Sequence, residues 1–207
     1  MSIVTKSKQI FIHFPKTAGT YIEETFDKDG ISYEKLLSSS KHRPLYRDQH
    51  GSKHCGVCYE EYPADVYKRF LFIREPISWY QSYISFKINT KKYNKRHWFD
   101  RLIRNEVNAN PSDHSACFLK ICECLLKKGI SPYSEFLDPV VDSHTSVYKY
   151  ENLHKSLKKI YQTEGVVYKK YPIVNATGKK VTANNVVKNI IRKLDYKIYQ
   201  DYYPELI

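Results

Sequence analysis

The chain has 207 residues, of which 42% are hydrophobic and 14% aromatic, so its composition is globular and excludes an intrinsically disordered protein. It carries 34 lysines and arginines against 22 aspartates and glutamates. The net charge of +12 favours an anionic partner such as a nucleotide, a nucleic acid, an acidic glycan or a membrane surface. The sequence holds no apolar run of transmembrane length, and its first residues lack the apolar core of a secretory signal. We therefore expect one soluble, cytoplasmic domain over residues 1–207, with no membrane insertion.

Apolar runs and the prolines that interrupt them predict alternating strands and helices. Residues 9–14 form a short apolar run that stops at Pro15, which is typical of a buried strand, and Pro76 stands where a new helix can begin. In chain order we predict a strand at 9–14, a helix at 18–27, a loop at 38–53, a strand at 69–74, a helix at 76–86, helices at 97–107 and 116–128, a strand at 144–150, a helix at 151–162 and a closing helix at 184–203. Strands that alternate with helices predict an α/β fold with a parallel sheet.

The first motif is P-K-T-A-G-T, residues 15–20, which follows the first strand and enters the first helix. A tight turn here aims backbone N–H groups outward, and the helix dipole adds partial positive charge, so this arrangement binds anions. Lys16 adds a full charge, and the hydroxyls of Thr17 and Thr20 are further donors. The plain alternative is a solvated Lys16 and a Gly19 that only lets the chain turn. The nucleotide-kinase pattern G-x-x-x-x-G-K-[ST] is absent, because the lysine precedes the glycine.

The second motif is R-E-P-x-x-x-x-x-S, in which Arg74 ends the second predicted strand and Ser82 lies on the helix that follows. The planar fork of arginine binds two phosphate oxygens at once. An arginine at the end of a strand can equally pair with a carboxylate such as Glu75, so this motif alone is not specific.

Together the two motifs resemble the sulfotransferase family. In that family P-K-[TC]-[GA]-[GS]-T binds the 5′-phosphosulfate of 3′-phosphoadenosine-5′-phosphosulfate (PAPS), and R-[DEN]-P with a serine six residues after the proline binds its 3′-phosphate. The resemblance is strong over residues 10–26 and 53–86 and loose over 87–145. It departs at Ile84, where the family often has an aromatic residue, while Tyr83 stands one place early. The resemblance implies a P-loop NTPase-like fold, a three-layer α/β/α sandwich with a short parallel sheet.

The resemblance also implies a reaction and residue roles. A sulfotransferase moves a sulfuryl group in line from PAPS to a hydroxyl or amine acceptor, for example on a carbohydrate or another small molecule, and it needs no metal. Lys16 is expected to stabilise charge on the leaving phosphate, and His54, followed by His50, to act as general base, with Glu23 or Glu24 as an alternative. The residues expected to bind the nucleotide are Lys16, Thr17, Ala18, Gly19, Thr20, Tyr21, Arg74, Ser82, Lys179 and Lys180.

Other functions stay open at this point. A small-molecule kinase with a P-loop-type fold is disfavoured by the missing kinase pattern and by the lack of an obvious magnesium-binding aspartate. A basic nucleic-acid-binding protein agrees with the net charge and with the run KKYNKRHW at 91–98, but it has no need for the paired motifs. A family member without activity is the remaining alternative. Cys55-x-x-Cys58 has no matching second pair for zinc, so we predict reduced thiols and no metal.

Overall fold

The computed structural model describes residues 2–36, 62–63, 65–95, 97–172 and 180–207. Within these ranges the chain forms five strands and eight α-helices, so the predicted α/β class is confirmed. The strands are β1 (Ser2–Thr5), β2 (Gln9–Phe11), β3 (Tyr33–Leu36), β4 (Lys68–Ile73) and β5 (Thr145–Lys149). The helices are α1 (Gly19–Lys28), α2 (Pro76–Thr90), α3 (Trp98–Ala109), α4 (His114–Lys128), α5 (Pro132–Leu137), α6 (Leu153–Thr163), α7 (Asn185–Leu194) and α8 (Tyr196–Tyr202). The loop predicted at 38–53 lies outside the described residues.

The described residues group into two compact units, which we treat separately. The sheet unit holds the described residues of 1–47, 53–74 and 137–175, and therefore contains all five strands together with α1 and α6. The helical unit holds the described residues of 75–136 and 176–207, and contains the other helices apart from the last residue of α5. That the chain works as one domain stays a prediction.

The sheet is mixed, in the order β3-β1-β2-β4-β5. Strands β2, β4 and β5 are parallel, with Phe11 opposite Phe70 and Ile73 opposite Lys149, whereas β1 is antiparallel to both its neighbours. The predicted parallel pairing is therefore confirmed for the three predicted strands, whereas β1 and β3, which were not predicted, make the sheet mixed. A connection of three residues joins β1 to β2, and so short a turn can only return the chain antiparallel.

One face of the sheet is covered by α1 and α6. Alternate residues of the parallel strands, including Phe11, Phe70 and Phe72, share a core with apolar side chains of these two helices. The remaining members of this cluster are Ile3, Tyr21, Ile22, Phe26, Ile31, Leu153, Leu157, Ile160 and Tyr161. On the opposite face Ile10, Ile12, Leu71 and Ile73 are also buried. Burial of both faces explains why β2 and β4 read as continuous apolar runs. A second helical layer and a P-loop NTPase-like fold stay predictions.

The helical unit is organised around aromatic residues of α2. Trp79 stacks on Tyr83 at a centroid distance of 5.0 Å, and Tyr83 stacks on Phe99 at 5.4 Å. The hydroxyl of Tyr83 donates to buried Asp100 at 2.9 Å, and the Nζ atom of Lys87 lies 2.6 Å from the same carboxylate. Tyr83 thus has a packing role in the helical unit.

The prediction of one closing helix is wrong, because the helix breaks at Asp195 into α7 and α8. Asp195 is buried, and its carboxylate accepts a hydrogen bond from the hydroxyl of Ser131, a tertiary contact that the helical periodicity does not reveal. None of the described helices combines the length and hydropathy needed to cross a membrane. The cysteines among the described residues, Cys117, Cys122 and Cys124, are free thiols.

Candidate functional site

Three segments emerge from the carboxyl ends of the parallel strands of the sheet unit. Residues 12–18 follow β2, Arg74 follows β4, and Tyr150 follows β5. The backbone N–H of Ile12 still donates to Phe70 O at 2.8 Å, so the loop leaves the sheet just beyond this hydrogen bond. Since the strands are parallel, these segments share one edge of the sheet, which is where open α/β sheets bind ligands.

The loop after β2 has an unusual backbone. Lys16 and Ala18 both adopt left-handed conformations, with φ of 63° and 69°. Between them, Thr17 is fully buried, and its hydroxyl donates to Phe14 O at 2.7 Å. The hydroxyl of Thr17 therefore holds the turn together, and only its backbone N–H fits the predicted role in binding an anion. Residues held in sparsely populated backbone conformations cluster at functional sites, which makes this turn a candidate.

The start of α1 has the electrostatics of an anion site. The first hydrogen bond of the helix runs from Ile22 N to Ala18 O at 3.0 Å, so helix geometry gives the N–H groups of Gly19, Thr20 and Tyr21 no acceptor within the helix. Ala18 provides no capping side chain, and the first turn contains no acidic residue. The partial positive charge at this helix end is therefore not neutralised by its own first turn.

Helix α2 begins differently. Glu75 caps it, with its carboxylate accepting from Ile77 N at 3.1 Å and from Ser78 N at 2.7 Å. The hydroxyl of Tyr199 donates to the same carboxylate. Because a protein anion already occupies the N-terminus of α2, the two motifs of the sequence offer different chemistry: backbone amides at α1, and side chains at Arg74 and Ser82.

The His13 side chain packs beside Gly19, the first residue of α1. A Cβ atom built on Gly19 would lie only 2.2 Å from the Nε2 atom of His13, so the imidazole fills the space beside the first residue of α1. The His13 ring also lies 6.0 Å from that of Phe11, at an interplanar angle of 24°. Burial, together with neighbouring positive charge such as that of Lys16, lowers the pKa of His13 to about 4. The imidazole is therefore neutral at physiological pH. Because the ring fills the space beside position 19, only glycine fits there without a shift of neighbouring atoms.

The left-handed conformation of Ala18 leads to a test of the turn. Glycine at position 18 avoids the steric penalty, so Ala18→Gly is expected to leave the free energy of unfolding unchanged or to raise it by up to about 1 kcal/mol. The β-branched side chain in Ala18→Val is expected to lower it by about 1–3 kcal/mol. Urea denaturation of both variants measures these changes.

Ala116 is the control for this test, because it lies in the first turn of helix α4, where the backbone is right-handed. There the order reverses: glycine costs about 1 kcal/mol relative to alanine, and valine costs less. An Ala18→Gly protein less stable than Ala18→Val would contradict the left-handed turn.

Arg74 contacts an aromatic ring at the same edge of the sheet. The Cζ atom of Arg74 lies 4.8 Å from the centroid of the Tyr150 ring, and both side chains are half-buried. The sequence predicts a strand that ends at Tyr150 but indicates no role for this residue. The sequence signal for Tyr150 is its position: it stands at the end of a predicted strand, as Arg74 stands at the end of another.

The other predicted site residues fall into three groups. Tyr21 is buried and its hydroxyl donates to Tyr171 O at 3.1 Å, so only its backbone is a candidate donor to a ligand. Ser82 is half-buried on α2 in the helical unit, and Lys180 is exposed. The remaining predicted residues, His50, His54 and Lys179, lie outside the described residues.

Two alternative bases were predicted on α1. The carboxylate of Glu23 pairs with the Nζ atom of Lys35 at 3.2 Å, which ties it to the neighbouring strand β3. Glu24 is exposed. Within the described ranges no group of three or more His, Cys, Asp or Glu side chains is placed to hold a metal ion, and Cys55 and Cys58 lie outside them.

Comparison with known proteins gives no relative for this arrangement. No family model, no curated protein sequence and no solved structure matches the chain.

Proposed function

We propose that the protein is a PAPS-dependent sulfotransferase. The observation that carries the proposal is the uncapped start of α1 behind a turn with two left-handed residues, at the sheet edge where Arg74 also emerges. A 5′-phosphosulfate needs several backbone N–H donors and one mobile cation, and a 3′-phosphate needs a second, bidentate cation. The turn with Lys16 supports the first requirement, and Arg74 supports the second.

In the proposed reaction the sulfuryl group moves in line. The bond between sulfur and the bridging oxygen of the phosphosulfate breaks, and a new bond forms between sulfur and the acceptor oxygen or nitrogen. The leaving group is adenosine 3′,5′-bisphosphate, and the acceptor gives its proton to a general base. Negative charge grows on the bridging oxygen, so a lysine beside it stabilises the transition state more than the bound donor. We assign this role to Lys16.

The backbone N–H groups of Gly19, Thr20 and Tyr21 are proposed to hold the 5′-phosphate. They are fixed by the helix and by the packing of α1, so binding requires little reorganisation of these groups. Arg74 is proposed to bind the 3′-phosphate. Ordinary adenosine 5′-nucleotides lack this group, so the contact would favour PAPS over them. The roles of Ser82, Lys179 and Lys180 at the nucleotide, and of His54 or His50 as base, stay predictions from the resemblance, as does a carbohydrate or other hydroxyl acceptor.

Titration calorimetry with adenosine 3′,5′-bisphosphate tests the proposal. We expect micromolar binding by the wild type, on the order of −8 kcal/mol. Lys16→Ala and Arg74→Ala are each expected to weaken it by roughly 1.5–3 kcal/mol, because each removes a charged hydrogen-bond donor. Lys8→Ala and Arg101→Ala, which change exposed residues of the same types, are the controls and should bind like the wild type.

Equal affinity of the wild type, Lys16→Ala and Arg74→Ala would remove the assignment. If the wild type does not bind the bisphosphate but binds RNA or DNA with an affinity that falls steeply as salt increases, the result would instead support the nucleic-acid-binding alternative.

A further inference from the structure

Arg74 and Tyr150 are brought together by the register of two parallel strands. Ile73 of β4 pairs with Lys149 of β5, so Arg74 and Tyr150 are the next residue along each strand. Both strands end at this point, and the Cζ atom of Arg74 lies 4.8 Å from the centroid of the Tyr150 ring. The contact thus joins a residue of the proposed nucleotide site to one that has no role in it so far.

Tyr150 is held in place by its own turn and by the core. It begins a short 3-10 turn, residues Tyr150–Asn152, in which the N–H of Leu153 donates to Tyr150 O. Leu153 is buried, and the Tyr150 ring itself packs against the core formed by the sheet, α1 and α6. An arginine side chain has several rotatable bonds and loses much rotamer freedom when it is fixed. The ring therefore provides a fixed surface against which the guanidinium of Arg74 lies.

A contact with an aromatic ring and phosphate binding use different features of a guanidinium. The Cζ atom of Arg74 lies over the face of the Tyr150 ring, where the cation is attracted by the π electrons. The five N–H donors lie in the guanidinium plane and point outward, in the fork that matches two oxygens of a phosphate. A ring that limits where the guanidinium can lie thus limits the directions in which the fork can point.

We infer that Tyr150 is a positioning residue, which orients Arg74 towards the 3′-phosphate and so contributes to the choice of a 3′,5′-bisphosphorylated nucleotide over a 5′-monophosphate. This inference rests on the proposed function. Tyr150 acts through Arg74 in this arrangement, so its effect belongs to the 3′-phosphate alone.

The test is the ratio of two dissociation constants, for adenosine 3′,5′-bisphosphate and for adenosine 5′-monophosphate. Tyr150→Leu is expected to weaken binding of the bisphosphate about 5- to 30-fold, the range of a lost cation–π contact, and to change binding of the monophosphate less than about 2-fold. Tyr150→Phe keeps the aromatic face and should keep the wild-type ratio. In an Arg74→Ala background, Tyr150→Leu should change the ratio less than about 2-fold, because the residue through which it acts is gone.

Two further variants distinguish an effect on the ratio from a general loss of stability. Tyr148→Leu makes the same change two residues earlier on β5, where the ring lies 5.6 Å from that of Phe72, and should lower stability without moving the ratio. Should Tyr150→Leu not fold, Tyr150→Met fills similar space without an aromatic face, and the same loss is expected.

An equal loss for both nucleotides, or a ratio that falls further when Tyr150→Leu is added to Arg74→Ala, overturns the inference alone. A wild type that binds no bisphosphate overturns the proposed function and this inference with it.

Discussion

Replacement of Lys16 by alanine is expected to slow sulfuryl transfer from PAPS about 100- to 1000-fold. This is the usual cost of removing one donor that faces a developing oxyanion, about 2.7–4 kcal/mol in the barrier. The effect on the rate should exceed the effect on affinity for adenosine 3′,5′-bisphosphate, because the charge on the bridging oxygen grows only as the bond to sulfur breaks. Release of sulfate from sulfur-35 PAPS under single-turnover conditions, with water as acceptor, measures the rate without a known acceptor.

Lys8 offers a closely matched control for Lys16. It is also a lysine in a left-handed conformation, with φ of 62° against 63°, but it is exposed in the turn between β1 and β2. Lys8→Ala therefore removes the same charge and tests the same backbone conformation away from the proposed site. Equal rates for the two variants would mean that Lys16 has no special role in transfer. Lys16→Arg should recover only part of the rate, since a guanidinium keeps the charge but not the compact shape.

The second large effect is expected at Gly19, where a methyl group has no room. Gly19→Ala places Cβ 2.2 Å from the Nε2 atom of His13, so either the imidazole or the start of α1 must move. Overpacking of this kind lowers the free energy of unfolding by about 1–3 kcal/mol. Because the displaced helix end carries the proposed phosphate donors, binding of adenosine 3′,5′-bisphosphate should fall as well. Denaturation and calorimetry on the same preparations measure both.

A double-mutant cycle separates this contact from other causes. His13→Ala removes the imidazole, so Gly19→Ala should cost clearly less in that background. Gly30→Ala is the control: its φ of 69° makes alanine unfavourable, but no atom lies within 4 Å of a Cβ there. Its cost should therefore be the same with and without His13→Ala. Additive effects of His13→Ala and Gly19→Ala would refute the contact.

The parallel strands and most helices could be predicted because their signals are local. Strand β4 carries a continuous apolar run, and α2 has a proline at its first position. Strands β1 and β3 have four residues each and lack such a run, so only pairing reveals them. At the break between α7 and α8, Asp195 contacts Ser131, a residue 64 positions away in sequence that the helical pattern does not reveal.

The candidate site was predicted as a set of residue types, and the structure changes what some of them do. The sequence indicates that Thr17 and Tyr21 stand in an anion-binding turn, but not that both hydroxyls point to backbone carbonyl groups of the protein. Gly19 lies in the first motif but His13 precedes it, and Arg74 lies in the second motif but Tyr150 is 76 residues further on, so neither motif contains both residues of a pair.

The sheet unit is assembled from separate stretches of chain, and this has a consequence for biosynthesis. The turn around Lys16 is made early, whereas α6, which shares the core with α1, follows only after α2, α3 and α4 have been synthesised. Until α6 emerges from the ribosome, the buried face of α1 cannot pack against a complete core. Bringing α1 and α6 together also closes a long loop, which has an entropic cost. The nascent protein therefore contains the residues of the turn around Lys16 long before that turn can take its final shape.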